Sequence, residues 1–211
     1  MPNQYLVSER HKYDDDKEEI IYINEGGRRE IYGNISGKIN IYEARVVDWF
    51  FDIARQLTPN DSNTGDYVAL MIALSYVEGV EQFRRGNKVV KDLIKNPNSF
   101  PKSDKLCKNS LRRIFPGYPD EAKETSVYCK IYKQIRCGLF HSGFTRKKIY
   151  LSYEQDKAIQ IKEEVTNIHP KLFLECIISD FEKYILALKD PNENQLRENF
   201  EKLWDYLWEE S

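Results

Sequence analysis

Two side chains that can act on a phosphate, Arg136 and His141, stand five residues apart in this 211-residue chain. An arginine is permanently charged and can hold a phosphate through two donors. A histidine gains or loses a proton near neutral pH. Together they are a minimal set for cleaving RNA without a metal ion. The histidine would activate the ribose 2′-hydroxyl or protonate the leaving oxygen, and the arginine would stabilise the developing phosphorane charge.

The spacing of this pair constrains how it can work. Five residues of straight α-helix correspond to about 140° of rotation and roughly 7.5 Å of rise, so the two side chains do not share a helix face. Either the helix is distorted near Gly138, or one chain supplies Arg136 and a second chain supplies His141. In a simpler interpretation, Arg136 is a surface or ion-pairing residue and His141 interacts with the negative end of the helix dipole.

The pair lies in a window that has no acidic residue between positions 125 and 153. Basic residues and aromatic residues alternate there, a composition that suits single-stranded RNA. A solvated basic face over core aromatics is the alternative. We expect five basic side chains besides Arg136 to contact RNA. They are Lys130, Lys133, Arg146, Lys147 and Lys148.

Glu78 lies in the most apolar helical segment of the chain. A buried carboxylate needs a partner. Arg136 is a candidate if the two helices pack, and Glu78 would then orient the arginine. The alternative is that Glu78 faces water on a narrow polar strip.

No metal site or cofactor is expected. Cys129, Cys137 and His141 lie on one row of a helix, but the sequence offers no fourth ligand at suitable spacing. P-loop, Rossmann and GxSxG motifs are absent from the sequence, so nucleotide hydrolysis and acyl transfer have no support.

Helical periodicity dominates the chain after residue 38. Helices are predicted over about 39–57, 67–85, 87–95, 103–115, 120–141, 169–188 and 192–208. A period of two predicts a hairpin formed by 149–153 and 159–161. The Gly26-Gly27 turn predicts a second hairpin near the N-terminus. Residues 1–19 indicate an irregular arm in which Asp14 is solvated.

Composition excludes several classes of protein. The net charge is −2 and 41% of the residues are hydrophobic, which fits a folded domain and excludes a uniformly basic nucleic-acid coat. Four cysteines without a CxxC pair do not form a disulfide framework or a zinc ribbon. The N-terminus does not resemble a signal peptide, and no apolar run reaches about 18 residues. We therefore expect a cytoplasmic protein with no membrane association.

Arg136, four residues and His141 at a helix end resemble the motif of the HEPN (higher eukaryotes and prokaryotes nucleotide-binding) superfamily. The helix order over roughly 40–208 is also similar. The resemblance implies a mainly α fold, with an N-terminal arm and hairpin over 1–37 and a HEPN-like helical bundle over 38–211 that carries a hairpin near 148–162. It implies a metal-independent endoribonuclease of a bacterial defence or toxin–antitoxin system, with a protein antitoxin as partner.

The resemblance also implies a homodimer whose active site forms between two motif-bearing helices. Leu203, Trp204, Leu207 and Trp208 near the C-terminus are expected to complete that interface. One departure favours a different function. Active members of the superfamily usually carry Asn, Asp or His after the arginine, where this chain has Cys137, and that residue is thought to orient the arginine or the phosphate. The alternative is a non-catalytic helical dimer that serves as an interaction or nucleotide-binding module.

Overall fold

The computed structural model describes most of the chain. The described residues are 4–58, 65–96, 102–118, 126–145 and 148–209. They form a mixed α/β fold, in which a four-stranded and a three-stranded sheet accompany the helices. The predicted mainly α fold is therefore wrong. The strands contain only three to five residues each, which is too short for a strong period-two pattern in the sequence.

The N-terminal segment is an antiparallel sheet and not an irregular arm. Its strands follow one another in the order β1-β2-β3-β4. They are β1 Gln4–Ser8, β2 His11–Asp14, β3 Glu19–Tyr22 and β4 Arg29–Ile31. Gly26 and Gly27 have φ values of 64° and 76°, a conformation that glycine adopts without steric cost. The predicted hairpin around these glycines is confirmed as the β3–β4 pair.

Asp14 illustrates why the predicted irregular arm is wrong. The sequence prediction of a solvated acidic run is wrong for this residue, because its side chain is buried and Arg29 Nη1 donates to Asp14 Oδ2 at 3.2 Å. That partner is available only after β4 has paired with β3. Ile20 and Tyr22 face the core on the other side of the same strands, so burial of β3 places Asp14 and Arg29 together.

The helices predicted in the first half of the chain are confirmed. Asn34 caps the first of them by accepting from the backbone N–H of Ser36 at 2.9 Å. The segments are α1 Ile35–Val46, a π-helical turn Val47–Phe51, α2 Asp52–Leu57, α3 Asp66–Arg84, α4 Gly86–Lys95 and α5 Ser103–Ile114.

The helix that carries Arg136 has three consecutive parts and is called the motif helix, Val127–Ser142. It consists of α6 Val127–Lys130, a π-helical turn Ile131–Arg136 and α7 Cys137–Ser142. The part predicted for 120–125 lies outside the described residues. Near the C-terminus, α8 Pro170–Lys189 and α9 Asn194–Glu209 confirm the last two predicted helices. Proline at the first position of α8 fits because its missing N–H would have no partner there.

The second sheet corrects the predicted hairpin at 149–161. Its strands are β5 Ile149–Leu151, β6 Ile159–Lys162 and β7 Val165–Ile168, in the order β5-β7-β6. β7 lies between the other two, parallel to β5 and antiparallel to β6. The predicted hairpin between β5 and β6 is therefore wrong, because β7 occupies the central position of the sheet. Thr166 and Ile168 of β7 are buried there.

The core is built around α3. Leu70, Leu74 and Val77 are almost fully buried, and α3 packs against α2, α5, α8 and α9. One continuous hydrophobic cluster joins the N-terminal sheet to these helices. A charged group on the buried face of α3 needs a partner close by.

The C-terminal aromatic residues pack within their own chain. Leu203 and Trp204 are buried, and Trp208 stacks on Tyr32 with the ring centroids 4.8 Å apart. Leu203 and Trp204 are therefore not available for the dimer surface that the sequence predicted them to build. Leu203 is covered by Val89, Val90 and Leu93 of α4, and Trp204 donates its indole N–H to the hydroxyl of Tyr32, which follows β4.

Candidate functional site

The motif helix begins and ends at residues that fix its length. Ser126 accepts a hydrogen bond from the backbone N–H of Cys129 at 3.3 Å and so caps the N-terminus. Gly143 takes the left-handed conformation at the C-terminus, with φ 68°. The stripe Tyr128, Ile131, Ile135 and Leu139 is buried against the chain's own core. The opposite face of the helix carries the polar candidates.

Arg136 and Glu78 are in direct contact, as the orienting role of Glu78 requires. Arg136 Nε donates to Glu78 Oε1 at 2.6 Å, and Nη2 donates to Oε2 at 3.0 Å. The side chains are 20% and 11% exposed. This two-point contact fixes the plane of the guanidinium. Glu78 is therefore not a water-facing residue on α3.

Ser103 also contacts Glu78, and the sequence does not predict this contact. Its hydroxyl donates to Glu78 Oε2 at 2.7 Å from the first residue of α5. The carboxylate thus accepts from two elements, α5 and the motif helix. The sequence held no signal for this contact, because it depends on how α5 packs against α3.

The guanidinium of Arg136 also lies against an aromatic ring. The centroid of the Phe140 ring is 4.8 Å from Arg136 Cζ, and that of Tyr132 is 5.9 Å away. Phe140 is 40% exposed and the nearby Phe144 is 74% exposed. Such rings can stack on unpaired bases. The arginine is therefore placed between a carboxylate and an accessible aromatic surface.

The electrostatics of Arg136 keep it charged. Burial alone would lower the pKa of the guanidinium, but the hydrogen bonds and negative charge of Glu78 outweigh burial and raise it. A guanidinium has five N–H donors, and Glu78 takes two of them, while no other hydrogen bond among the described residues uses the remaining three. Burial also raises the pKa of the neighbouring Tyr132 phenol, so Tyr132 stays protonated and can donate at neutral pH.

His141 is not part of this contact network. It is exposed in the last turn of α7, and no hydrogen bond or ion pair among the described residues joins it to Arg136. The π-helical turn ends at Arg136, and ordinary α-helix follows. The distortion expected near Gly138 therefore precedes the arginine and leaves the rotation of about 140° between the two residues intact. A single chain does not bring them together.

Gly138 sets the path of the chain after Arg136. A Cβ atom at this position would lie 2.3 Å from the backbone oxygen of Phe144, and Phe144 N donates to Gly138 O at 3.4 Å. The segment after the motif helix therefore folds back over Gly138. Cys137, the residue that departs from the family motif, is half-buried beside it.

The expected RNA-contacting residues form a less uniform surface than the sequence indicates. Lys130 is half-buried and Lys133 is exposed. Lys148 is paired with Glu164 from the loop before β7, and this lysine, with a smaller contribution from Lys130, lowers the pKa of that carboxyl. The sequence from 125 to 153 contains no acidic residue, but in the folded chain Glu164 lies next to Lys148. Arg146 and Lys147 lie outside the described residues.

No group of three or more metal-ligating side chains is present in the described part of the chain, and no helix there is long and apolar enough to cross a bilayer. Searches against protein-family models, curated proteins and solved structures returned no match to this chain. The geometry of the Arg136 site is thus the basis for a functional conclusion.

Proposed function

We propose that this protein binds single-stranded RNA at Arg136 and cleaves it without a metal ion, with His141 transferring a proton. The observation that supports the proposal is that Arg136 is charged and held in a fixed orientation. Glu78 and Ser103 hold it in one orientation, and three of its five donors have no partner among the described residues and can hold a phosphate. A pre-positioned donor set of this kind stabilises charge that develops during a reaction.

The reaction would be an internal transfer at phosphorus. The ribose 2′-oxygen forms a bond to the adjacent phosphorus, and the bond from phosphorus to the 5′-oxygen breaks. One proton leaves the 2′-hydroxyl and one proton is delivered to the 5′-oxygen, so the products are a 2′,3′-cyclic phosphate and a 5′-hydroxyl. His141 would carry one of these protons, and Arg136 would hold the phosphate oxygens.

A second copy of the chain would supply the missing member of the pair. Because His141 is exposed at the end of α7, it can reach the Arg136 site of a partner. A homodimer with a two-fold axis near the motif helix would create two such sites. As the HEPN resemblance implies, the protein would act in the cytoplasm of a bacterial defence or toxin–antitoxin system, held in check by a protein antitoxin.

A second candidate function is RNA or nucleotide binding without cleavage. It is favoured by Cys137, since a thiol is a weak hydrogen-bonding group where the family has Asn, Asp or His. The separation of His141 from Arg136 within one chain favours it as well. In this case the dimer would be an interaction module, and Cys137→Asn would change binding rather than produce cleavage.

The test is RNA cleavage by wild type and His141→Ala purified identically, with and without EDTA. We expect wild type to cleave in EDTA and to leave cyclic phosphate ends. His141→Ala should be slower by about 10²–10⁴-fold with unchanged RNA affinity, whereas Arg136→Ala should lose both rate and affinity. Equal rates in wild type and His141→Ala would assign the activity to another site. Binding without cleavage would establish the second candidate.

A further inference from the structure

A groove between α4 and α5 is rimmed by positive charge. Its volume is about 360 Å³. Four basic side chains line it, and Asp92 is the one carboxylate among its lining residues. The basic residues are Arg85, Lys88, Lys102 and Lys105. Lys88 lies on α4 and Arg85 directly precedes it, and both face the two lysines at the start of α5.

Two of these cations have no carboxylate partner. Arg85 pairs with Glu81 at 2.6 Å, and Lys88 pairs with Asp92 at 3.0 Å. Lys102 and Lys105 are exposed, and neither forms an ion pair within the described residues. Lys102 directly precedes α5 and Lys105 lies in its first turn, so their charges are held on one side of the groove. Asp104 stands between them in the sequence but pairs with Lys108 at 2.8 Å, so an anionic ligand would meet two ammonium groups that have no direct ion pair among the described residues.

The floor of the groove is formed by two apolar side chains that the surrounding structure covers. Val89 and Leu106 line it but are only 2% and 3% exposed. An amphipathic peptide helix needs exposed apolar anchors to bind in a groove, and these side chains are already covered. Lysines on an exposed rim instead suit phosphate groups, which they bind as point charges.

The groove and the Arg136 site are linked by adjacent residues at the start of α5. Lys102 directly precedes Ser103, the residue whose hydroxyl donates to Glu78. Glu78 in turn holds Arg136. A chain of phosphates that crosses the first turn of α5 would thus pass from Lys105 and Lys102 to Arg136.

We propose that the α4–α5 groove binds backbone phosphates of the same RNA strand that is held at Arg136. This inference rests on the proposed function. It adds a second contact region, which recognises the sugar–phosphate backbone without base contacts, since no aromatic side chain lines the groove among the described residues. Binding there would be independent of sequence and sensitive to salt.

The test measures binding of a fluorescent 20-nucleotide oligouridylate by anisotropy over a range of salt concentrations. The variant Lys102→Ala/Lys105→Ala should lose about tenfold in affinity at low salt, and its slope of log K against log salt should be shallower by about 1.4. Lys12→Ala/Lys17→Ala removes the same charge from the N-terminal sheet, and it should bind like wild type. Lys102→Arg/Lys105→Arg should keep wild-type affinity, because the charges are retained.

The outcomes separate this inference from the proposed function. If wild type binds RNA and the Lys102→Ala/Lys105→Ala variant binds equally well with the same slope, the groove proposal is wrong while the Arg136 site stands. If wild type does not bind RNA at low salt, both are wrong. If polyglutamate of matched charge competes as well as RNA does, the groove is a surface for acidic protein, which also overturns the RNA assignment.

Discussion

At the scale of residues, the carboxylate of Glu78 positions Arg136 because it accepts hydrogen bonds from two residues, Arg136 and Ser103. Its removal would leave the Arg136 guanidinium partly buried without a counter-charge. We therefore predict that Glu78→Ala lowers the free energy of unfolding by about 3 kcal/mol. Urea denaturation followed by tryptophan fluorescence measures this change.

The control for that prediction is the double variant Glu78→Ala/Arg136→Ala. Removing both charges leaves no unpaired group, so the loss should be smaller than the sum of the two single losses. Ser103→Ala should cost only about 1 kcal/mol, as expected for one hydrogen bond to a charged group that keeps other partners. Additive losses for Glu78 and Arg136 would mean that the contact contributes nothing to stability.

The residues of the site differ in how far the sequence could identify them. Arg136 and Glu78 were predictable as partners, because an acid in an apolar helix requires a cation. Ser103 and Phe140 were not, since each gains its role only from the packing of α5 or the orientation of the guanidinium. The spacing of five residues already predicts the rotation that separates His141 from Arg136 on one chain. Only the fold shows that the π-helical turn ends at Arg136 and does not remove that separation.

At the scale of elements, Gly138 allows the segment after the motif helix to pack closely against that helix. We predict that Gly138→Ala lowers the free energy of unfolding by about 1–3 kcal/mol, because the new methyl group would press on the backbone of Phe144. The same substitution at Gly79 in α3 is the matched control. A Cβ there meets nothing within 4 Å, so helix propensity should make Gly79→Ala stabilising by about 0.5–1 kcal/mol.

Opposite signs for these two glycines are measurable by urea denaturation under one set of conditions. A stabilising Gly138→Ala would show that the segment after Ser142 does not fold back over the helix. In that case the position of Phe144 beside the Arg136 site would also be wrong. Because Gly79 is next to Glu78, a loss of stability in Gly79→Ala would instead indicate that α3 tolerates no change near the carboxylate.

Elements with a long repeat were predictable, whereas the short strands β1, β2 and β7 were not. α3 and α8 repeat their apolar residues over five turns or so, which makes helix the clear interpretation. β7 has four residues, and its place between β5 and β6 is decided by tertiary packing. The first two N-terminal strands, β1 and β2, were not predicted for the same reason. Their strongest polar feature, Asp14, is neutralised by Arg29, which lies fifteen residues away.

At the scale of the whole molecule, two copies can associate only through surfaces that are not already buried within each chain. The apolar stripe of the motif helix and the side chains of Leu203 and Trp204 are used within the chain. The exposed face near Phe140, His141 and Phe144 is left for a partner or for RNA. A dimer through this face would bring His141 of one copy towards Arg136 of the other.

The shared site makes a quantitative prediction for mixed dimers. Arg136→Ala and His141→Ala should each be inactive alone, but their co-expression in equal amounts should restore about a quarter of wild-type activity. About half of the dimers would contain one chain of each kind, and each of those would have one intact site out of two. Cleavage per milligram of protein measures this. The control is co-expression of either variant with an Arg136→Ala/His141→Ala chain, which provides no intact pair. No recovery, in dimers verified by mass spectrometry to be mixed, would place both residues of any active site in one chain.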